Sequence, residues 1–404
     1  MSPSDAPNPA AAKALTLAAY ISFVPIGIAT VLLGPMLPTL SARWSLNYAQ
    51  AGALFNAQYL ASTLAVMLSG VLASRWGFRF AIKTGLVLIA VGVFLLLAGP
   101  KWLGILCIGA YGTGLGLAVP AANLLVAAAN PNRRSATLNL LNFFWSSGAV
   151  ACPFLVAAAA NSHHVPLFLA FVASFSLVVA IGIAAMPSRI VEPPSSQSTE
   201  LKMIPLIRQK VLPLVGQKLV LFLLLAALFF LYVGVENGFG GWAASYAKSL
   251  GNLSPAVALM TPSFFYAAMM LGRWWAPLLL RVTSEIRLVQ AGLLIACGGM
   301  AGLVFSRGLA EVASSACAAG FGLSCVYPIT ISLMSREFGS SSLIGSLMFV
   351  LSNIGGGILP WIVGVASNRF STIKAGLMVP LLGCATMYAL YLRNWDPAKV
   401  DSHE

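Results

Sequence analysis

Apolar residues run in long stretches along the whole chain, parted by short polar breaks. A helix that crosses a bilayer needs about 20 residues, and twelve stretches are long enough. They lie near 14–40, 49–74, 78–99, 102–129, 136–161, 166–186, 218–247, 255–281, 286–306, 309–335, 342–367 and 372–393. The alternation over about 10 residues that marks membrane β-strands is absent. The pattern predicts an all-α membrane protein of 12 transmembrane helices. One long polar interval breaks the series. It covers 187–217 and contains PSRIVEPPSSQSTELK, whose Pro, Ser and charge suit a linker. The division is six and six: an N-terminal six-helix bundle over 1–186, a cytoplasmic linker over 187–217 and a C-terminal six-helix bundle over 218–404.

The two bundles should then be parallel repeats. At an offset of 208, Gly112 falls on Gly320, Gly114 on Gly322, Pro120 on Pro328 and Gly148 on Gly356. GTGLGLAVP in span four thus pairs with GFGLSCVYP in span ten.

Composition supports this. The 404 residues are 59% hydrophobic and 8% charged, and mean hydropathy is +0.89. A soluble domain carries about 25% charged residues. Apolar surface on this scale needs lipid as its solvent. The net charge of +13 is explained by position. With both termini inside, sixteen of the 23 Lys and Arg lie in cytoplasmic segments. Six lie outside (Arg43, Lys101, Lys248, Arg307, Arg369, Lys374), and Arg273 lies within a span. That bias follows the positive-inside rule and leaves no case for nucleic acid. The six cysteines sit in apolar spans without metal-ligand spacing and suit packing.

Between spans two and three stands GVLASRWGFR, from Gly70 to Arg79. It resembles the Gly-x-x-x-Asp-Arg-x-Gly-x-Arg loop of the major facilitator superfamily, with Gly70, Arg75, Gly77 and Arg79 matching. The resemblance implies a role for this loop in closing the cytoplasmic side. The family's aspartate is Ser74 here, so that latch is lost or carried by other residues. A narrower resemblance rests on QAGALFNAQYLAS, AANLLVAAANPNRRSATLNLLNFFWSSGA, YVGVENGFGGW and LGRWWAPLLLR. These are similar to the fucose permease and glucose/mannose:proton symporter branch. In that permease a functional glutamate precedes TAAN in span four, and the matching position here is Val119. Span one also lacks an acid. The stretch LNLAQTFN of the permease aligns Asn139 with its first Asn, Asn142 with its Gln and Trp145 with its last Asn. The last change removes an amide, which argues against fucose itself.

Ten acids occur, and Glu236 is the one placed well inside a span. An ionisable group there costs several kcal/mol unless it is paired, neutral or facing a water-filled cavity. Two readings stand: Glu236 exchanges the coupling proton, or it is a structural acid that bonds nearby backbone. Gly238, Gly240 and Gly241 follow it closely. They either soften the helix, as in discontinuous transporter helices, or let neighbours pack closely. Trp242 either stacks on a sugar ring or anchors at the outer interface. Arg273 binds an anionic substrate or, the favoured reading, closes an inner gate. By axial position a direct Glu236–Arg273 pair is not favoured. Asn56, Gln58, Tyr59, Asn123, Asn139, Asn142, Trp145, Asn237, Tyr266, Tyr327 and Asn353 are the remaining substrate-binding candidates. Amides have donors and acceptors that suit sugar hydroxyls, yet they also serve as interhelical glue.

The expected activity is secondary active transport of a small polar solute. Its leading form is proton-coupled uptake of a neutral monosaccharide by alternating access. Export, or carriage of an organic anion through Arg273, is the alternative. No phosphate loop, metal-ligand cluster or serine elbow points to an enzyme. No cofactor or metal is expected. The expected setting is a monomer in a bacterial inner (plasma) membrane, with both termini cytoplasmic.

Overall fold

The computed structural model describes residues 9–130, 133–186, 218–338 and 342–394. The linker expected over 187–217 lies outside the described residues. Thirteen helices and no strand occur among the described residues. They supply twelve spans: Lys13–Val31, Tyr48–Ala73, Arg75–Phe94, Lys101–Ala129, Ala136–Asn161, Val165–Ala185, Leu219–Ser249, Pro255–Leu279, Glu285–Phe305, Leu309–Phe338, Leu347–Arg369 and Ile373–Arg393. They are numbered one to twelve below.

Local chemistry sets the ends. Ser254 caps span eight by accepting from the backbone N–H of Val257 at 3.3 Å, with Pro255 opening the helix. Ser284 caps span nine in the same way, and Glu285 sits in its first turn, where a negative charge suits the helix dipole. Spans two and three form one helical stretch turned at Gly77, whose φ of 82° favours glycine.

Two spans are interrupted. The first helix stops at Val31, and a second runs from Leu33 to Arg43. Pro35 explains the break, because its ring clashes with the carbonyl four residues earlier, at Val31. Span ten is split into Leu309–Leu323 and Val326–Phe338. Pro328 acts there against Ser324. Pro120, its counterpart in the repeat, lies within an unbroken helix.

The described residues form two compact units. One comprises those within 1–32, 57–155 and 162–199, the other those within 33–56, 156–161 and 200–404. Each unit repeats the same glycine contacts. In the first, Gly114 of span four lies against the carbonyl of Gly85 in span three; in the second, Gly322 of span ten lies against that of Gly292 in span nine. A Cβ at either position would collide with backbone, so the helices approach at glycine only. Gly148 abuts the Val24 carbonyl, and the matching contact, to the Phe230 carbonyl, is made by Gly355. The constant offset pointed to Gly356, one residue further on. A small difference in spacing between the halves accounts for the slip.

Candidate functional site

Span seven is a continuous helix from Leu219 to Ser249, without a break at its glycines. Their role is close packing, not bending. Gly241 lies against the Cα of Gly34 and the ring of Phe55, and Gly240 against the hydroxyl of Tyr266. Residues 33–56 belong to the second unit through such contacts. Trp242 is 1% exposed. Its indole N–H donates to the Pro360 carbonyl at 2.9 Å, and Tyr48 meets its ring edge-on at 6.2 Å. In this conformation Trp242 is neither an exposed interfacial anchor nor an open face for a sugar. These were the two alternatives for it, and the packing of Tyr48 and Pro360 around it explains why neither is seen.

Glu236 is 9% exposed. Tyr232, one helical turn earlier, is its hydrogen-bonding neighbour, and Arg273 is its neighbouring charge. A guanidinium nitrogen of Arg273 donates to the Tyr232 hydroxyl at 3.5 Å. Glu236 and Arg273 make no ion pair within 4.0 Å. No direct pair forms, as the axial positions suggested, yet the two share one cluster, linked through Tyr232. The long arginine side chain bridges the axial separation that counting residues suggested. Tyr327 packs on Tyr232 with ring centres 5.1 Å apart, and Phe229 meets Tyr327 edge-on at 5.4 Å. The break in span ten adjoins the same place: the Ser324 side chain lies against Gly272, and Cys325 is within electrostatic reach of Arg273.

The first unit has a separate polar cluster around Thr30. Gln58, 1% exposed, donates to the Thr30 carbonyl at 3.1 Å and accepts from the Tyr111 hydroxyl at 3.2 Å. Trp145 donates its indole N–H to the Thr30 hydroxyl at 3.3 Å. Gln58 is thus committed to joining spans one, two and four. Tyr59 is buried beside it in sequence. Asn123, Asn142 and Asn237 each donate to the carbonyl four residues earlier, at 2.8, 2.9 and 2.8 Å. An amide that donates in this way can still accept through its oxygen. Asn139 and Asn142 are exposed, whereas Asn56 and Asn353 are half-buried. Tyr266 is buried against Gly240.

In the loop motif, Arg79 donates to the carbonyls of Ile183 (2.6 Å) and Met186, at the C-terminal end of span six. A cation there satisfies free carbonyls and suits the helix dipole. Gly77 makes the turn, Arg75 is exposed, and nothing crowds Gly70. The side chain of Ser74 lies outside the described residues. One carboxylate, Glu285, does occur beside the corresponding loop of the second half, and another, Glu337, lies at the end of span ten. Glu285 pairs with Arg336 and accepts from Ser332, and Glu337 pairs with Lys218 at 2.8 Å. These pairs are largely exposed, and each contributes about 0–1 kcal/mol.

Comparison with known proteins agrees with this architecture. A family model described as the Major Facilitator Superfamily matches residues 19–360. The chain belongs to the Major Facilitator Superfamily. It is 25% identical over 388 residues to a glucose/galactose transporter of Brucella abortus biovar 1 (strain 9-941), covering 90% of each chain. Among solved structures it is similar to a D-xylose-proton symporter, with a TM-score of 0.76, 17% identity and coverage of 96% and 98% of the two chains. It is also similar to the E. coli fucose:proton symporter, with a TM-score of 0.64, 20% identity and coverage of 94% and 98%. This major facilitator is an integral membrane transporter and not an enzyme.

Two residues central to this geometry do not stand out in the sequence. Tyr232 is one turn from Glu236, a spacing that places both on one helical face. Thr30 carries no such signal, because its part depends on two helices distant in sequence.

Proposed function

We propose that this transporter takes up a monosaccharide together with a proton. Glu236 carries the proton, and the solute binds among the polar side chains of the spans. The bundles 1–186 and 218–404, joined by 187–217, move to alternate access. The protein resides in a bacterial inner membrane, with both termini cytoplasmic.

One observation carries the reading. The only acid deep in a span is nearly buried, yet it is held beside a tyrosine hydroxyl and not locked in a direct ion pair. A carboxylate in that setting can accept and release a proton without first breaking a buried salt bridge. Support also comes from the relatives: the Brucella protein is named a glucose/galactose transporter, and two structural neighbours are named proton symporters of sugars. The test is uptake of labelled glucose, galactose and xylose into proteoliposomes with and without an imposed pH gradient. The reading expects gradient-driven accumulation of at least one monosaccharide. Failure of all three, and of a wider monosaccharide panel, to enter or to shift thermal stability contradicts it.

A further inference from the structure

We infer that the solute at the Glu236 cluster is a monosaccharide bearing a carboxylate, held by Arg273 and admitted only together with a proton on Glu236. This rests on the monosaccharide reading and narrows its substrate to a sugar acid, such as a hexuronate.

The guanidinium of Arg273 is the starting point. It carries five N–H donors in a planar fork and stays charged. Its one hydrogen bond is the 3.5 Å contact to the Tyr232 hydroxyl. Its Nε is shut off from solvent and has no hydrogen-bond partner. Among the described residues, no carboxylate lies within 4.0 Å of it. A buried polar group without a partner costs free energy, and a charged one costs more. The unused donors match the two oxygens of a carboxylate, which a guanidinium grips with two parallel bonds. A neutral hydroxyl would satisfy one donor and could not engage the fork through two parallel bonds.

The surroundings suit a sugar ring beside that carboxylate. Tyr232, Tyr327 and Phe229 form a continuous aromatic group next to the guanidinium, with successive ring centres 5.1 and 5.4 Å apart. At the nearby interruption of span ten, Pro328 lacks the N–H that would bond the Ser324 carbonyl.

Charge balance then supplies the coupling. The ionisable groups at the cluster are Glu236 and Tyr232 on span seven, Arg273 on span eight, and Cys325 and Tyr327 on span ten. Only Glu236 and Arg273 carry charge in their ordinary forms. Empty, the site is neutral overall. An anionic sugar entering alone leaves one uncompensated negative charge in a weakly polarisable region, which is strongly unfavourable. A proton taken up by the Glu236 carboxylate restores neutrality. One anion therefore travels with one proton, and no net charge moves.

The test uses the purified full chain in proteoliposomes, with labelled glucuronate, galacturonate, gluconate and glucose. The inference expects a sugar acid to accumulate under a pH gradient and to be indifferent to a potassium–valinomycin potential of either sign. It also expects the unlabelled acid to inhibit glucose entry. Arg273→Gln should lower kcat/KM for the acid by at least about tenfold, the scale of a lost charged hydrogen bond. It should spare glucose by comparison, and Arg273→Lys should fall between. If the glutamine variant does not fold, the potential and competition measurements on the unaltered protein decide. Glucose accumulation that no sugar acid inhibits overturns this inference and leaves the monosaccharide reading standing. Movement of the acid that responds to potential overturns the charge-balance argument. Absence of transport for every sugar, acidic or neutral, overturns both.

Discussion

The Tyr232 hydroxyl lies 3.5 Å from a guanidinium nitrogen of Arg273, one helical turn before Glu236 on the same span. This contact places a tyrosine between the one deep carboxylate and the one arginine inside a span. It gives the cluster a linear order in which each member has a distinct chemical role.

Removing the middle member should expose that order. Tyr232→Phe keeps the ring against Tyr327 and deletes the hydroxyl. Arg273 then loses its one hydrogen bond. A bond to a charged group contributes about 1.5–3 kcal/mol, so the thermal midpoint should fall measurably. Proton-driven accumulation should fall as well, while solute counterflow persists. An unchanged midpoint and unchanged accumulation would mean that the hydroxyl has no part in either.

Gln58 separates glue from pocket. Both ends of its amide are engaged, to the Thr30 carbonyl and the Tyr111 hydroxyl. Gln58→Leu should destabilise the protein by about 1–3 kcal/mol, mainly because buried partners are left unsatisfied. KM for the solute should hardly change. A raised KM at unchanged thermal stability would instead make Gln58 a solute contact.

Gly241 tests the close approach of the helix 33–43 to span seven. A Cβ there meets the Phe55 ring at 2.6 Å. Overpacking of this kind costs about 1–3 kcal/mol. Gly241→Ala should lower the thermal midpoint modestly, and Gly241→Leu should do so more and slow transport. Equal stability of all three forms would show that the contact is dispensable.

Arg79 closes the end of span six through two backbone carbonyls. Arg79→Gln should weaken that end by about 0.3–2 kcal/mol, the range for a cation at a helix C-terminus. Arg79→Lys should restore part of it. The readout is thermal unfolding of the purified variants.

Much of this architecture is legible in the chain because its causes are local. Apolar runs set the twelve spans, Gly77 marks the turn after span two, and the glycines of spans four and ten reveal the repeat. Glu236 stands out because no other acid sits so deep. What local reasoning misses is which face meets which. The glycines after Glu236 left softness and close packing equally open; the helix continues, and Gly240 and Gly241 serve contacts to Gly34, Phe55 and Tyr266. The same kind of proline interrupts span ten at Pro328 and leaves span four whole at Pro120, so the sequence signal is alike and tertiary packing decides. The Glu236–Tyr232–Arg273 cluster is hidden for a further reason. Residue counting places backbones along the membrane normal, and a long side chain such as that of Arg273 reaches well beyond its own level.

The central claim is that Glu236 carries the coupling proton. Its most direct measurement compares the unaltered protein with Glu236→Gln, which keeps the shape and removes the charge, in one proteoliposome assay of gradient-driven accumulation and solute counterflow. The account predicts that the variant loses accumulation and retains counterflow. Accumulation in the variant equal to that of the unaltered protein would contradict it.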